Sequence, residues 1–258
     1  MTLSDSFLQS LVARIDTPNV VGITYSGSFA RGEAGPYSDV DLQVYVRELP
    51  EQKYRLYLWD DHLVSIAYST IEKERDSLLH PERAIWSVPG LRQAVILLDK
   101  DDSLAGLKQA AQDFEWSALQ AKADAYAEEE LMGFAEEVHK ILNGLLNNDE
   151  STILNALSGL SLGLRRAVAV QRGLLIETEN RYFDIVQDSI GRASNWTRAF
   201  RLAIGADLSP EADPPFKYRG MAGLALYCET YSLFRAIISD QHCEVIEETL
   251  KRIKNVGY

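Results

Sequence analysis

Residues 27–45 read GSFARGEAGPYSDVDLQVY, and this stretch decides the fold. After Ser38, the residues Val40, Leu42, Val44 and Val46 alternate with Asp39, Asp41, Gln43 and Tyr45. That is the period-2 pattern of a strand with one apolar face. Asp39 and Asp41 share the other face, roughly 7 Å apart at Cα from twice the rise per residue. Adjacent carboxylates repel unless a cation lies between them, and oxygen-only ligation by one or two carboxylates plus phosphate suits magnesium. Upstream, Gly27 and Ser28 follow a β-rich run, Val20 to Tyr25. A glycine there permits a turn whose amides approach a phosphate closely, and a short helix starting at Ser28 adds its N-terminal dipole. One segment is therefore expected to hold both a phosphate chain and a metal.

Working outward, Leu3, Phe7, Leu8, Leu11, Val12 and Ile15 recur at helical spacing, with Ser4 or Asp5 as cap and Pro18 as stop. Strands are expected at Tyr54 to Trp59, Leu63 to Tyr68 and Ala94 to Leu98, with a helix from about Ile71 to Leu79 that ends before Pro81. From Ser103 onward Ala, Leu, Glu, Lys and Gln dominate at helical period, predicting helices near 103–112, 116–147, 150–175, 181–188, 192–204, 219–239 and 241–254. The expected fold class is α+β: a mixed-sheet domain over residues 1–110 and an all-helical bundle over 111–258.

The 258 residues are 46% hydrophobic and 25% charged, an ordinary globular composition. No uninterrupted apolar run approaches the roughly 20 residues that span a bilayer, and the N-terminus lacks the pattern of a signal peptide. A cytoplasmic protein without membrane contact is expected. The net charge is −12 and neither half is basic, which argues against a polynucleotide partner and suits a cationic small substrate. Cys228 and Cys243 have no metal-type spacing and are read as free thiols, while the four histidines show no ligand spacing. The stripe of Tyr218, Tyr227, Tyr231 and Phe234 is read as bundle core.

A strand, then Gly27-Ser28, a spacer, and two acids alternating with aliphatics resembles the nucleotidyltransferase superfamily that includes DNA polymerase beta. The likeness extends to its aminoglycoside (kanamycin) nucleotidyltransferase branch through LVSIAYS (Leu63 to Ser69), AVILLD (Ala94 to Asp99) and the acid-rich EEELMGFAEE (Glu128 to Glu137). The resemblance implies a magnesium-dependent enzyme in which Asp39 and Asp41 hold the metal. Gly27 and Ser28 would bind a nucleoside triphosphate, and a hydroxyl of a small molecule, an aminoglycoside being one candidate, would attack the alpha phosphorus. It also implies a cleft built across two chains, hence a homodimer.

Two features depart from the family pattern. The neighbouring strand carries Ser65 where the family places a third carboxylate, so Asp60, Asp61 or an acid of the helical domain must substitute, or one metal suffices, or activity is lost. The family's catalytic base falls near Gly133, which leaves Glu130 and Glu137, seven apart on one helical face, as candidates. The alternatives are a catalytically silent nucleotide-binding regulator, or a toxin–antitoxin type nucleotidyltransferase acting on protein or tRNA.

Overall fold

The computed structural model describes residues 2–256, which divide into two compact units. The first runs to Ser117 and takes in Leu175–Thr178; the second comprises Ala118–Leu174 and the chain from Glu179 onward.

In the first unit, α1 (Asp5–Ile15) begins where the Ser4 hydroxyl accepts a hydrogen bond from the N–H of Phe7 at 3.2 Å. β1 (Val20–Ser26) leads into the single turn α2 (Gly27–Ala30), then β2 (Val40–Val46), β3 (Tyr54–Trp59) and β4 (His62–Ser69). The β3–β4 hairpin turns on Asp60 (φ 48°) and Asp61 (φ 64°), both left-handed as a tight two-residue loop requires. After α3 (Ile71–Ser77) and α4 (Pro81–Gln93) come β5 (Val95–Asp99) and α5 (Ser103–Gln112).

The sheet order is β3-β4-β2-β1-β5; β2 and β4 run parallel and all other neighbours antiparallel. Val40, Leu42, Val44 and Val46 are 0–3% exposed, and with Ile23, Val64 and Ile66 they form one core with Leu11 and Ile15 of α1. That leaves the opposite face, which carries Asp41, as the polar one. α5 belongs to this unit, since Leu104, Leu107 and Ala111 are buried and Leu104 packs on the backbone of Gly22. The returning segment is tied in by the Ile176 N–H, which donates to the carbonyl of Ile85 at 2.7 Å.

Residues 81–93 correct the sequence reading. Pro81 was expected only to end a helix, but it occupies the first turn of α4, where its missing N–H costs nothing.

The second unit holds α6 (Gln120–Gly133), α7 (Ala135–Asn147), α8 (Glu150–Gln171), α9 (Tyr182–Ile190), α10 (Asn195–Ala203), α11 (Pro215–Phe234) and α12 (Asp240–Asn255). α8 is long and apolar enough by composition to cross a membrane, although its apolar residues are interrupted by polar ones. It nevertheless buries ten residues, among them Ile153, Leu157, Leu160 and Leu164, as the core helix of a bundle does. The continuous helix expected over 116–147 is instead broken at Phe134. The Phe134 ring lies against Gly163 of α8, where any Cβ would sit 1.8 Å from Cζ. Tyr227 and Phe234 are buried as expected of bundle core, whereas Tyr218 is exposed.

Candidate active site

The site is built across three strands. Register places Ser26 of β1 opposite Asp41 of β2, and Asp41 beside Ser65 of β4, so the three side chains share the polar face of the sheet. Gly27 leaves β1 with φ +72°, folding the chain back over this row. An ideal Cβ on Gly27 would lie 2.0 Å from Oδ2 of Asp41. The residue must therefore be glycine twice over, for its backbone conformation and for the carboxylate beneath it.

The half-buried carboxyl of Asp41 is pushed above the ordinary carboxylate value, first by burial and then by the negative charge of Asp39. Two groups oppose this: the Ser65 hydroxyl, which donates to Oδ1 of Asp41 at 3.0 Å, and the positive charge of Arg31. Ser65 is only 6% exposed, so it faces Asp41 as a hydrogen-bond donor where a third carboxylate would be a further anion. Among the described residues no group of three or more His, Cys, Asp or Glu side chains is placed to hold a metal ion. Asp39 and Asp41 are two oxygen donors of like charge, close enough for the charge of the first to raise the carboxyl of the second.

Arg31 was not singled out from sequence. It lies four residues after Gly27, its side chain is 15% exposed, and its Nε donates to Glu33 at 2.8 Å. It is the cation whose charge reaches Asp41. The signal was an arginine one helical turn beyond a Gly-Ser pair. α2 itself is a single turn, so it supplies N–H groups at Gly27 and Ser28 rather than the dipole expected of a longer helix.

On the same face, Thr24, Ser26, Gln43 and Tyr45 line an open pocket of about 120 Å³ together with Glu74 of α3 and Ser87, Gly90 and Leu91 of α4. Burial, and then the negative charge of Glu74, push the Tyr45 phenol upward, so it stays protonated. Sequence reading missed this cavity because it did not foresee α4. His62 sits between the rings of Phe7 and Phe29, at centroid distances of 4.9 and 5.9 Å, in a packing role.

The acid-rich segment resolves into three different environments within the second unit. Glu128 is buried and accepts from both the N–H and the hydroxyl of Ser239, the residue before α12. Burial raises its carboxyl, but the Ser239 hydrogen bonds and the nearby His242 outweigh that and the net shift is downward. Glu130, near the end of α6, is half-buried; burial pushes its carboxyl up, and the charge of Arg166 only partly reverses this. Glu137 lies on α7, where Lys140 holds it at 2.9 Å. The break at Phe134 puts Glu130 and Glu137 on two helices, so they do not form the single helical face their spacing suggested.

Residues 6–101 match the family profile described as the nucleotidyltransferase domain. This part of the chain is a nucleotidyltransferase domain. It encloses β1 to β5 and with them Gly27, Ser28, Asp39, Asp41 and Ser65. The chain's fold is also that of a nucleotidyltransferase-like protein from Exiguobacterium sibiricum 255-15, with a TM-score of 0.52, 14% sequence identity, and coverage of 95% of this chain and 78% of that one. No curated protein matches.

Proposed function

We propose that the chain transfers a nucleoside monophosphate from a nucleoside triphosphate to a hydroxyl of a small, cationic acceptor of the aminoglycoside kind in the cytoplasm. The observation that carries this reading is the Asp41 carboxylate lying directly under the left-handed Gly27 turn. On this reading, backbone amides for a phosphate and an acid for a cation meet at one point.

Asp39 and Asp41 fit a magnesium ion by the chemistry of the donor pair: both are oxygen donors, and the Asp41 carboxyl, raised first by burial and then by the charge of Asp39, would be favoured as its anion by a cation. When bound, such an ion would supply positive charge to the attacking and leaving oxygens. The chain's own groups do the rest. The amides and hydroxyl of Gly27 and Ser28 hold phosphate oxygens, and the Arg31 guanidinium offsets their charge. For the proton of the attacking hydroxyl we assign Glu130. Burial raises its carboxyl, which makes it the better proton acceptor, whereas Glu137 is already held by Lys140. The net charge of −12 favours a cationic acceptor.

The test is calorimetry of magnesium with ATP on the parent and on Asp41→Asn, alongside pyrophosphate release over a panel of nucleoside triphosphates and hydroxyl acceptors. Loss of magnesium-dependent binding in the variant and release by the parent support the reading; unchanged binding in the variant removes the site assignment. One observation favours a second reading, a silent nucleotide-binding regulator: the neutral Ser65 beside Asp41. Tight nucleotide binding with no pyrophosphate release across the panel would select it.

A further inference from the structure

The polar face of the sheet continues past Asp41. Ser26 pairs with Asp41, and Thr24 with Gln43 one step along, so the row that forms the candidate site runs on into the pocket bounded by α3 and α4. Gln43 and Tyr45 follow Asp41 along β2 at roughly 7 and 14 Å, from the rise per residue of a strand. The pocket, of about 120 Å³, therefore lies beside the candidate site and within the first unit.

Among the described residues that line it, Glu74 alone is charged, and Ser26, Tyr45, Ser87 and Gln43 add hydroxyls and an amide. Glu74 stands three residues after Ile71 and three before Ser77, both buried, which sets it on the inward side of α3. The next acid of that helix, Asp76, is held by His80 at 3.4 Å and by Arg83 at 3.2 Å, whereas Glu74 has no ion pair among the described residues. Lys73 and Arg75 beside it are exposed, and Arg92 of α4 gives its guanidinium to the carbonyls of Ala111 and Phe114 at 2.8 and 3.1 Å. A half-buried carboxylate without a counter-ion is costly until something positive reaches it. Gly90 supplies a second observation. Glycine inside a helix costs up to about 1 kcal/mol relative to alanine, and a Cβ at this position of α4 would meet no atom within 4 Å. Packing does not require a glycine here, and what the missing side chain preserves is room in the pocket.

We propose that this pocket is the acceptor subsite: it takes a primary ammonium group of the acceptor, with Glu74 as counter-charge and Gln43, Ser26 and Ser87 receiving the remaining N–H bonds. An ammonium carries three donors and no acceptor, which matches one carboxylate among hydroxyl and amide oxygens. The Tyr45 phenol, hydrogen-bonded with Thr24 and reached by the charge of Glu74, stays protonated and so adds no second negative charge. A nucleobase is the poorer fit, because no aromatic face is presented for stacking: Tyr45, the aromatic residue of the lining, is 2% exposed. The spacing along β2 sets the ammonium about 7–14 Å from Asp41, a span longer than one sugar ring. This inference rests on the nucleotidyl-transfer reading of Asp41 and deepens it by placing the acceptor.

The experiment is calorimetry of kanamycin, with its fully N-acetylated form as the neutral control, on the full chain and on Glu74→Gln, Gly90→Leu and Glu72→Gln, with MgATP titrated into each. The parent should bind kanamycin and not the acetylated form. Glu74→Gln and Gly90→Leu should each weaken kanamycin by about tenfold or more, the first by removing the counter-charge and the second by filling the pocket. Glu72, exposed on the same helix and outside this pocket, is the control, and Glu72→Gln should stay within about twofold. A parent that binds no MgATP overturns the nucleotidyl-transfer reading and the subsite with it. A parent that binds MgATP but no kanamycin, or holds kanamycin equally tightly after Glu74→Gln and Gly90→Leu, overturns the subsite alone. Equal losses in Glu74→Gln and Glu72→Gln reduce the effect to the overall charge of −12 and also overturn it. Weakened MgATP with unchanged kanamycin in Gly90→Leu overturns it in favour of a nucleobase pocket. Gly90→Leu keeps the Glu74 charge and puts a stronger helix former into α4, so it reports even where Glu74→Gln folds poorly.

Discussion

The carboxylate of Asp41 occupies the space that a Cβ on residue 27 would fill, 2.0 Å from Oδ2. The two positions are fourteen residues apart in sequence, yet one cannot change without displacing the other. Gly27→Ala must either push Asp41 off the row it shares with Ser26 and Ser65 or abandon the left-handed turn, which by itself costs about 1–2 kcal/mol for a residue with a Cβ. Nucleotide binding measured by calorimetry should fall at least tenfold while the circular dichroism spectrum is kept. Parent-like affinity would show that the turn is not part of the site.

Ser65 gives a second handle on the same acid. Replacing it by Asp adds a carboxylate beside Asp41, whose own carboxyl is already raised by burial and by Asp39. Without a divalent cation Ser65→Asp should melt lower than the parent. On adding magnesium its melting temperature should rise by more than the parent's, because binding to the folded state stabilises it in proportion to RT ln(1 + [L]/Kd). An equal rise in both proteins would remove Ser65 from the cation site.

How much of this was legible beforehand follows from what kind of signal each feature leaves. The strand carrying Asp41 and the Gly27 turn follow from two-residue alternation and turn chemistry, which are local, whereas the neighbouring position of Ser65 came from the family resemblance. The helix that ends before Pro81 was read correctly, but the one that Pro81 begins was missed, because proline stops a helix at one position and starts one at another and only the buried Ala84, Ile85 and Val88 that follow distinguish the cases. At the break the Phe134 ring lies against Gly163, a residue on another helix, and no local pattern encodes that contact. Glu128 reads like its acidic neighbours, but its partner Ser239 is 111 residues away. Arg31 was visible and went unweighted, because a lone arginine in a loop is ordinary until Asp41 is known to lie within reach of its charge.

Glu128 also makes a pH prediction. Its carboxyl titrates below the ordinary value in the folded chain, so its ionised form stabilises the fold above the unfolded value of about 4.5 and that stabilisation is lost as pH falls through the lowered value. Glu128→Gln should reduce stability at pH 7 by about 1.5–3 kcal/mol, the range for a hydrogen bond to a charged acceptor. The difference from the parent should shrink as denaturation is repeated toward pH 3. A difference that stays constant across that range would mean the carboxylate charge is not what holds Ser239.

The last prediction separates the two acids that sequence spacing treated alike. Glu130 is half-buried with a raised carboxyl, whereas Glu137 sits 2.9 Å from Lys140 as one side of a partly exposed ion pair. Removing a general base typically costs on the order of 10²–10⁴-fold in turnover, while losing a screened surface pair costs little. Glu130→Gln should therefore lower kcat by about that range with nucleotide affinity nearly unchanged, and Glu137→Gln should leave kcat within about twofold. The pH profile gives an independent check. A base with a raised carboxyl places the acid limb of kcat against pH above the ordinary carboxylate range, and that limb should be missing from the residual activity of Glu130→Gln. If instead Glu137→Gln carries the loss and Glu130→Gln keeps the acid limb, the proton acceptor is Glu137 and Lys140 serves to orient it.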